Sequence, residues 1–156
     1  MRPRGGFTII EVLVSLLILS LILAGLFMVL AAGDISFSVD AGMLQIEQQA
    51  RQGMDQMVRE LRHAQDPVIT AINQDSDRLT FNTESEAGIS YYRDINTNQL
   101  VRELPAGTAK ILANNIAYFK CSFTSPVLEI SLRADNTVRQ KALTFSLGEK
   151  VRLRNE

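Results

Sequence analysis

Residues 12–32 carry no charged side chain; two serines and a glycine are the only departures from Leu, Ile, Val, Phe, Met and Ala. As a helix this run of 21 residues extends about 31 Å, close to the roughly 30 Å hydrocarbon thickness of a bilayer. One helix can therefore cross. Arg2 and Arg4 precede the run and Asp34 is the first charge after it, so the positive-inside preference keeps the short N-terminus in the cytoplasm and puts the rest outside.

Glu11 stands at the very edge of this run. A carboxylate there is costly in lipid, so it is read as functional and as needing a cationic partner. Cleavage between Gly6 and Phe7 would create one, because Phe7 would then carry a free amine four residues, about one helical turn, before Glu11. A first-turn carboxylate is also favoured by the helix macrodipole, by roughly 0.3–1 kcal/mol at exposed sites. In a low-dielectric surround the amine matters more. Formed between neighbouring chains, the pair would set the axial register of packed helices. Two other readings compete. A secretory signal could end at Ala31-Ala32-Gly33, but the run exceeds the usual h-region of about 7–15 residues, and nothing in a signal calls for Glu11. An uncleaved anchor with Glu11 snorkelling to the interface is the other.

Residues 4–14, Arg-Gly-Gly-Phe-Thr-Ile-Ile-Glu-Val-Leu-Val, closely resemble the processing motif of type IV pilins and of the pseudopilins of type II secretion. The resemblance implies that a prepilin peptidase of the inner membrane cuts between Gly6 and Phe7, N-methylates Phe7 and leaves Glu11 for the assembly contact. It is sharp over residues 4–32, and beyond them the shared plan is a long helix followed by a sheet domain. Family members often have a proline midway along the apolar helix; here that stretch has Gly25 and none. Many major pilins close a C-terminal loop with a disulfide, whereas Cys121 is the sole cysteine, which implies a minor subunit. Residues 51–66 and 151–155 are similar to J-type pseudopilins and W-type minor pilins.

The remaining chain suffices for one compact domain. Removal of residues 1–6 would take two of sixteen basic side chains and shift the formal charge from −1 to −3, so no nucleic-acid-binding surface follows from charge. From Asp34 to Asp66 the pattern becomes one-sided: Met43, Ile46, Ala50, Met57, Leu61 and Ala64 recur at helical spacing. This predicts an amphipathic continuation over residues 34–66, ended at Asp66-Pro67. Gly33, Gly42 and Gly53 lower its helix propensity and are read as close-packing positions, or else as a stretch that bends under assembly. After Pro67 the period drops to two. Leu79 with Phe81, Ile89 with Tyr91, and Leu100-Val101 mark short strands; residues 84–88 and 96–98 are turns. Leu128, Ile130 and Leu132 mark a further strand, Ala134-Asp135-Asn136 a turn, and Leu143, Phe145 and Leu147 its partner. Gly148 predicts a bulge before a last piece at residues 151–153. The expectation is an α+β, pilin-like chain: leader 1–6, membrane and filament-core helix 7–33, amphipathic helix 34–66, and an antiparallel sheet domain 67–156 on which the helix packs.

One histidine, one cysteine and no tryptophan leave no parts for a histidine triad, a structural zinc site or a phosphate loop. His63 is expected near a helix end as a surface or capping residue, and Cys121 as a buried structural thiol. Asn73, Asp75 and Asp77 alternate and could hold calcium, but lack EF-hand spacing. No cofactor, metal or catalytic residue is assigned. The chain reads as a structural subunit of a pilus or pseudopilus, held first in the lipid of the inner membrane with its C-terminal domain extracytoplasmic, then in a periplasmic or surface filament. By the resemblance its partners are other pilins or pseudopilins, the peptidase and the inner-membrane assembly platform. The alternatives are a filament-borne subunit for adhesion or DNA uptake, and a plain membrane-anchored domain.

Overall fold

The computed structural model describes residues 8–105 and 107–153. They form one helix and eight strands: α1 (Ile9–Leu61), β1 (Gln65–Asn73), β2 (Ser76–Asn82), β3 (Ile89–Asp94), β4 (Gln99–Glu103), β5 (Ala109–Ala113), β6 (Ile116–Thr124), β7 (Val127–Val138) and β8 (Lys141–Arg152). The chain divides into two compact units, Met1–Ser38 and Val39–Glu156.

In the first unit α1 is apolar on every side and its large side chains are exposed all round, Phe27 at 68% and Met28 at 74%. Gly25 does not interrupt the helix, and a Cβ added there would meet nothing within 4 Å. The two serines of the run direct their hydroxyls at backbone carbonyls, Ser15 to Glu11 O and Ser20 to Leu17 O, both at 2.7 Å. Their polar groups thus need no water.

In the second unit the helix packs on the sheet with a one-sided stripe: Val39, Gly42, Ile46, Ala50, Gly53, Met54, Met57 and Leu61 are buried. Met43, expected within the stripe, is only half-buried at its margin. The glycines explain why the stripe is shifted. A Cβ on Gly42 would stand 2.6 Å from Val138 Cγ2, and one on Gly53 would stand 3.2 Å from Leu100 Cδ2, so both mark close approach of helix and sheet. Gly33 has no such neighbour.

The helix ends at Leu61, short of the expected Asp66. Its last turn tightens, with His63 N–H donating to Glu60 O and Ala64 N–H to Leu61 O, both at 3.1 Å. Asp66 and Pro67 lie in β1 instead. There Asp66 takes a positive φ of 50°, and a register shift between Gln65 and Val68 absorbs the proline, which an edge strand tolerates.

The sheet consists of two antiparallel meanders, β1 to β5 and β6 to β8. A single parallel bridge, Ser76 to Phe119, joins them. The expected turn at Ala134-Asp135-Asn136 is not a turn: Ala134 is fully buried and the three residues continue β7, paired with Phe145, Thr144 and Leu143. The chain reverses at Arg139-Gln140, both at positive φ. Nor is there a bulge at Gly148, which pairs with Ser131 in unbroken register, so residues 151–152 belong to the same long strand. One core of helix and sheet side chains fills the second unit, with Tyr91, Phe81 and Phe119 its largest fully buried members.

Candidate assembly site

The start of α1 is closed by a reciprocal capping box. Thr8 N–H and the Thr8 hydroxyl both donate to Glu11 Oε2 at 2.9 Å, and Glu11 N–H donates back to Thr8 Oγ1 at 3.3 Å. Thr8 is the N-cap and Glu11 the third helical position, the spacing that lets one carboxylate and one hydroxyl satisfy two backbone donors otherwise left without partners. The pattern Thr-x-x-Glu was present in the sequence and would have revealed this role. Reading Glu11 only as the partner of an amine missed it.

Both bonds to Thr8 fall on Oε2, and Oε1 makes no hydrogen bond among the described residues. The carboxylate can therefore cap its own helix through one oxygen while offering the other to a cation. Around it, Ile10, Val14 and Ser15 line a shallow surface depression with Glu11. Arg2, Arg4 and the cleavage pair Gly6 and Phe7 lie outside the described residues, as do Arg154 and Asn155.

The other candidates are placed apart from this site. His63 is exposed just beyond the end of α1. Asn73, Asp75 and Asp77 do not converge as ligands: Asn73 Oδ1 accepts Asp75 N–H at 2.8 Å in a local turn, whereas Asp77 is buried and turned toward β6. Asp77 Oδ1 receives Lys120 Nζ at 2.9 Å and Oδ2 receives Cys121 N–H at 3.0 Å, so it joins the two meanders. The alternation of these three residues suggested a cation site, and burial of Asp77 against a lysine excludes that geometry. Cys121 is half-buried at the core margin; burial, then the Asp77 carboxylate, pushes its thiol up to about 12. Such a thiol is a poor nucleophile.

A further polar cluster was not legible in the sequence. Arg102 on β4 bonds Glu60 of the helix at 2.9 Å and Glu86 of the β2–β3 loop at 2.6 Å, tying three separate segments together. Arg93 donates to Ile116 O at 2.6 Å, Ser76 Oγ at 3.2 Å and Asn98 Oδ1 at 2.5 Å, and so bridges the meanders beside Asp77.

Residues 1–27 match a family model described as the prokaryotic N-terminal methylation motif. No curated protein and no solved structure matches the chain. The capped, apolar helix with Glu11 in its first turn thus carries the N-terminal processing motif of type IV pilins and pseudopilins.

Proposed function

We propose that the chain is a minor pilin or pseudopilin, a non-enzymatic structural subunit that is cut between Gly6 and Phe7, N-methylated on Phe7 and built into a type IV pilus or a type II secretion pseudopilus, where it primes the tip. The observation that carries this reading is Glu11, a carboxylate on a helix exposed and apolar on every side, with one oxygen used by Thr8 and the other open to a cation. An apolar surface of this extent needs lipid or other helices to cover it. Before assembly the cover is the inner membrane, with the sheet domain outside the cytoplasm; in the filament it is the helices of other pilins. The amine of Phe7 in a neighbouring chain is the natural occupant of Oε1, and a methylated amine keeps its charge. The peptidase and the inner-membrane platform are the other partners. The loose likeness of residues 51–66 and 151–155 to J-type pseudopilins or W-type minor pilins supports the minor role.

Intact-mass and N-terminal analysis of membrane-extracted protein tests the processing: a methylated Phe7 is expected, and retained Met1 would end the filament reading. Glu11→Gln keeps an oxygen for Thr8 but removes the charge, so insertion, cleavage and helix capping should survive while incorporation into filaments drops. Normal incorporation of that variant would show that the charge is dispensable.

A further inference from the structure

β8 ends the strand order and pairs only with β7 among the described residues, so one edge of this long strand faces no other strand. At its C-terminal end a cavity of about 720 Å³ is lined by the end of β8 and the end of α1. The five consecutive residues 149–153 all line it. Pro126, whose carbonyl accepts Leu153 N–H from the β7 side, lines it as well, so the cavity lies at the end of the β7–β8 pair.

Cations flank this edge on both sides. Arg62 lines the cavity from the helix end. Val151 is buried opposite Leu128, so alternation sends Lys150 and Arg152 to the other face of the sheet. Arg62 and Arg152 make no ion pair among the described residues. Lys150 meets Glu129 at 3.4 Å, but with both side chains about half exposed or more that contact is worth little. Glu149 is the one carboxylate in the lining among the described residues. Scattered edge charges serve to keep strands from pairing indiscriminately. Here three cations gather at one end of the edge, beside a cavity, where they select by charge.

We infer that the C-terminal end of the β8 edge is a docking site for an extended acidic segment of a partner protein, which adds as a strand beside β8 with its carboxylates held by Arg62, Lys150 and Arg152. Main-chain hydrogen bonds along the open edge supply affinity, and the cations on the two faces supply selection and salt dependence.

The test uses the full chain in non-ionic detergent micelles and a fluorescent octapeptide alternating glutamate and valine, read by anisotropy. The acidic peptide binds, its affinity falls about tenfold between roughly 25 and 250 mM salt, and a lysine–valine counterpart does not bind. Arg62→Glu with Arg152→Glu weakens binding at least about tenfold, whereas Lys141→Glu at the far end of β8 leaves it unchanged. Both sets of substitutions lie at exposed positions, and circular dichroism checks that the fold is kept. Of the two alternate N-methylation patterns of the peptide, the one that blocks the amides facing β8 abolishes binding and the other does not. The inference is overturned by no binding at low salt, by equal binding of the lysine peptide, by equal loss with Lys141→Glu, or by indifference to N-methylation. Binding of inorganic polyphosphate without binding of the peptide also overturns it, in favour of a free-anion site.

Discussion

Asp77 joins two meanders whose strands share one parallel bridge, and its removal should be felt well beyond its own contacts. The residue is 4% exposed, and its two oxygens hold Lys120 Nζ at 2.9 Å and Cys121 N–H at 3.0 Å. Asp77→Ala leaves the Cys121 N–H without its acceptor, a cost of about 1–3 kcal/mol for a buried group. Removal of one member of a fully buried ion pair costs about 3–5 kcal/mol. That figure is too large here, because the Lys120 side chain remains 27% exposed and keeps its bond to Asn73 O at 3.0 Å. A net loss of about 3 kcal/mol is expected. Asp77→Asn retains one acceptor and should lose about 1–2 kcal/mol. Urea unfolding of the full chain in micelles, followed by near-ultraviolet circular dichroism, would show the midpoint falling at constant slope. Combining Asp77→Ala with Lys120→Met should cost less than the sum of the single changes, since the lysine charge is no longer stranded. A loss under about 0.5 kcal/mol for Asp77→Ala, typical of an unremarkable surface change, or strict additivity in the cycle, would refute the reasoning.

Three further changes probe other parts of the second unit. Raising the pH should destabilise the protein through Cys121: its folded pKa of about 12 lies above the ordinary 9.0, so its contribution is complete below pH 9 and is lost as pH rises toward 12. The slope approaches about 1.4 kcal/mol per pH unit, and comparison with Cys121→Ala, which lacks this component, isolates it. Gly42→Ala gains about 1 kcal/mol of helix propensity but forces a Cβ against Val138, which costs about 1–3 kcal/mol, so thermal melts should show a net loss. The loss should exceed that of Gly53→Ala, whose Cβ would press on the tip of Leu100 at 3.2 Å and meet Ala113 and Leu112 at ordinary contact distance. Gln140→Gly relieves a non-glycine residue held at φ 65° in the β7–β8 turn and should stabilise by about 1 kcal/mol, seen as a higher melting temperature.

The long helix was legible because its two halves carry different periodic signals, uniform apolarity and then a stripe, and the strands around Leu79, Tyr91, Leu128 and Leu143 because alternation marks one buried face. What failed was punctuation. Asp66-Pro67 reads as a helix stop, yet two short-range backbone bonds ended the helix earlier and left the pair to an edge strand. Ala134-Asp135-Asn136 has turn composition, but long-range pairing with β8 and burial of Ala134 overrode it, and the chain turned at two residues with no turn preference of their own. At the candidate assembly site Glu11 was singled out by its cost in lipid, whereas its bond to Thr8 needed the local spacing to be read. Asp77, Arg93 and Arg102 were invisible because each acts across segments far apart in sequence.

The single bridge between the meanders also bears on how fast the chain folds. Each meander is built from neighbours in sequence and can close through short hairpins, on a scale of about 1–10 μs each. Ser76 and Phe119 are 43 positions apart, and bringing them together must be completed against the entropy of that larger loop, with little backbone pairing in return. Closure at this joint is therefore expected late, after both halves have formed. Variants of Asp77 should slow refolding if its clamp is already closed at the barrier, and hasten unfolding if it closes afterwards.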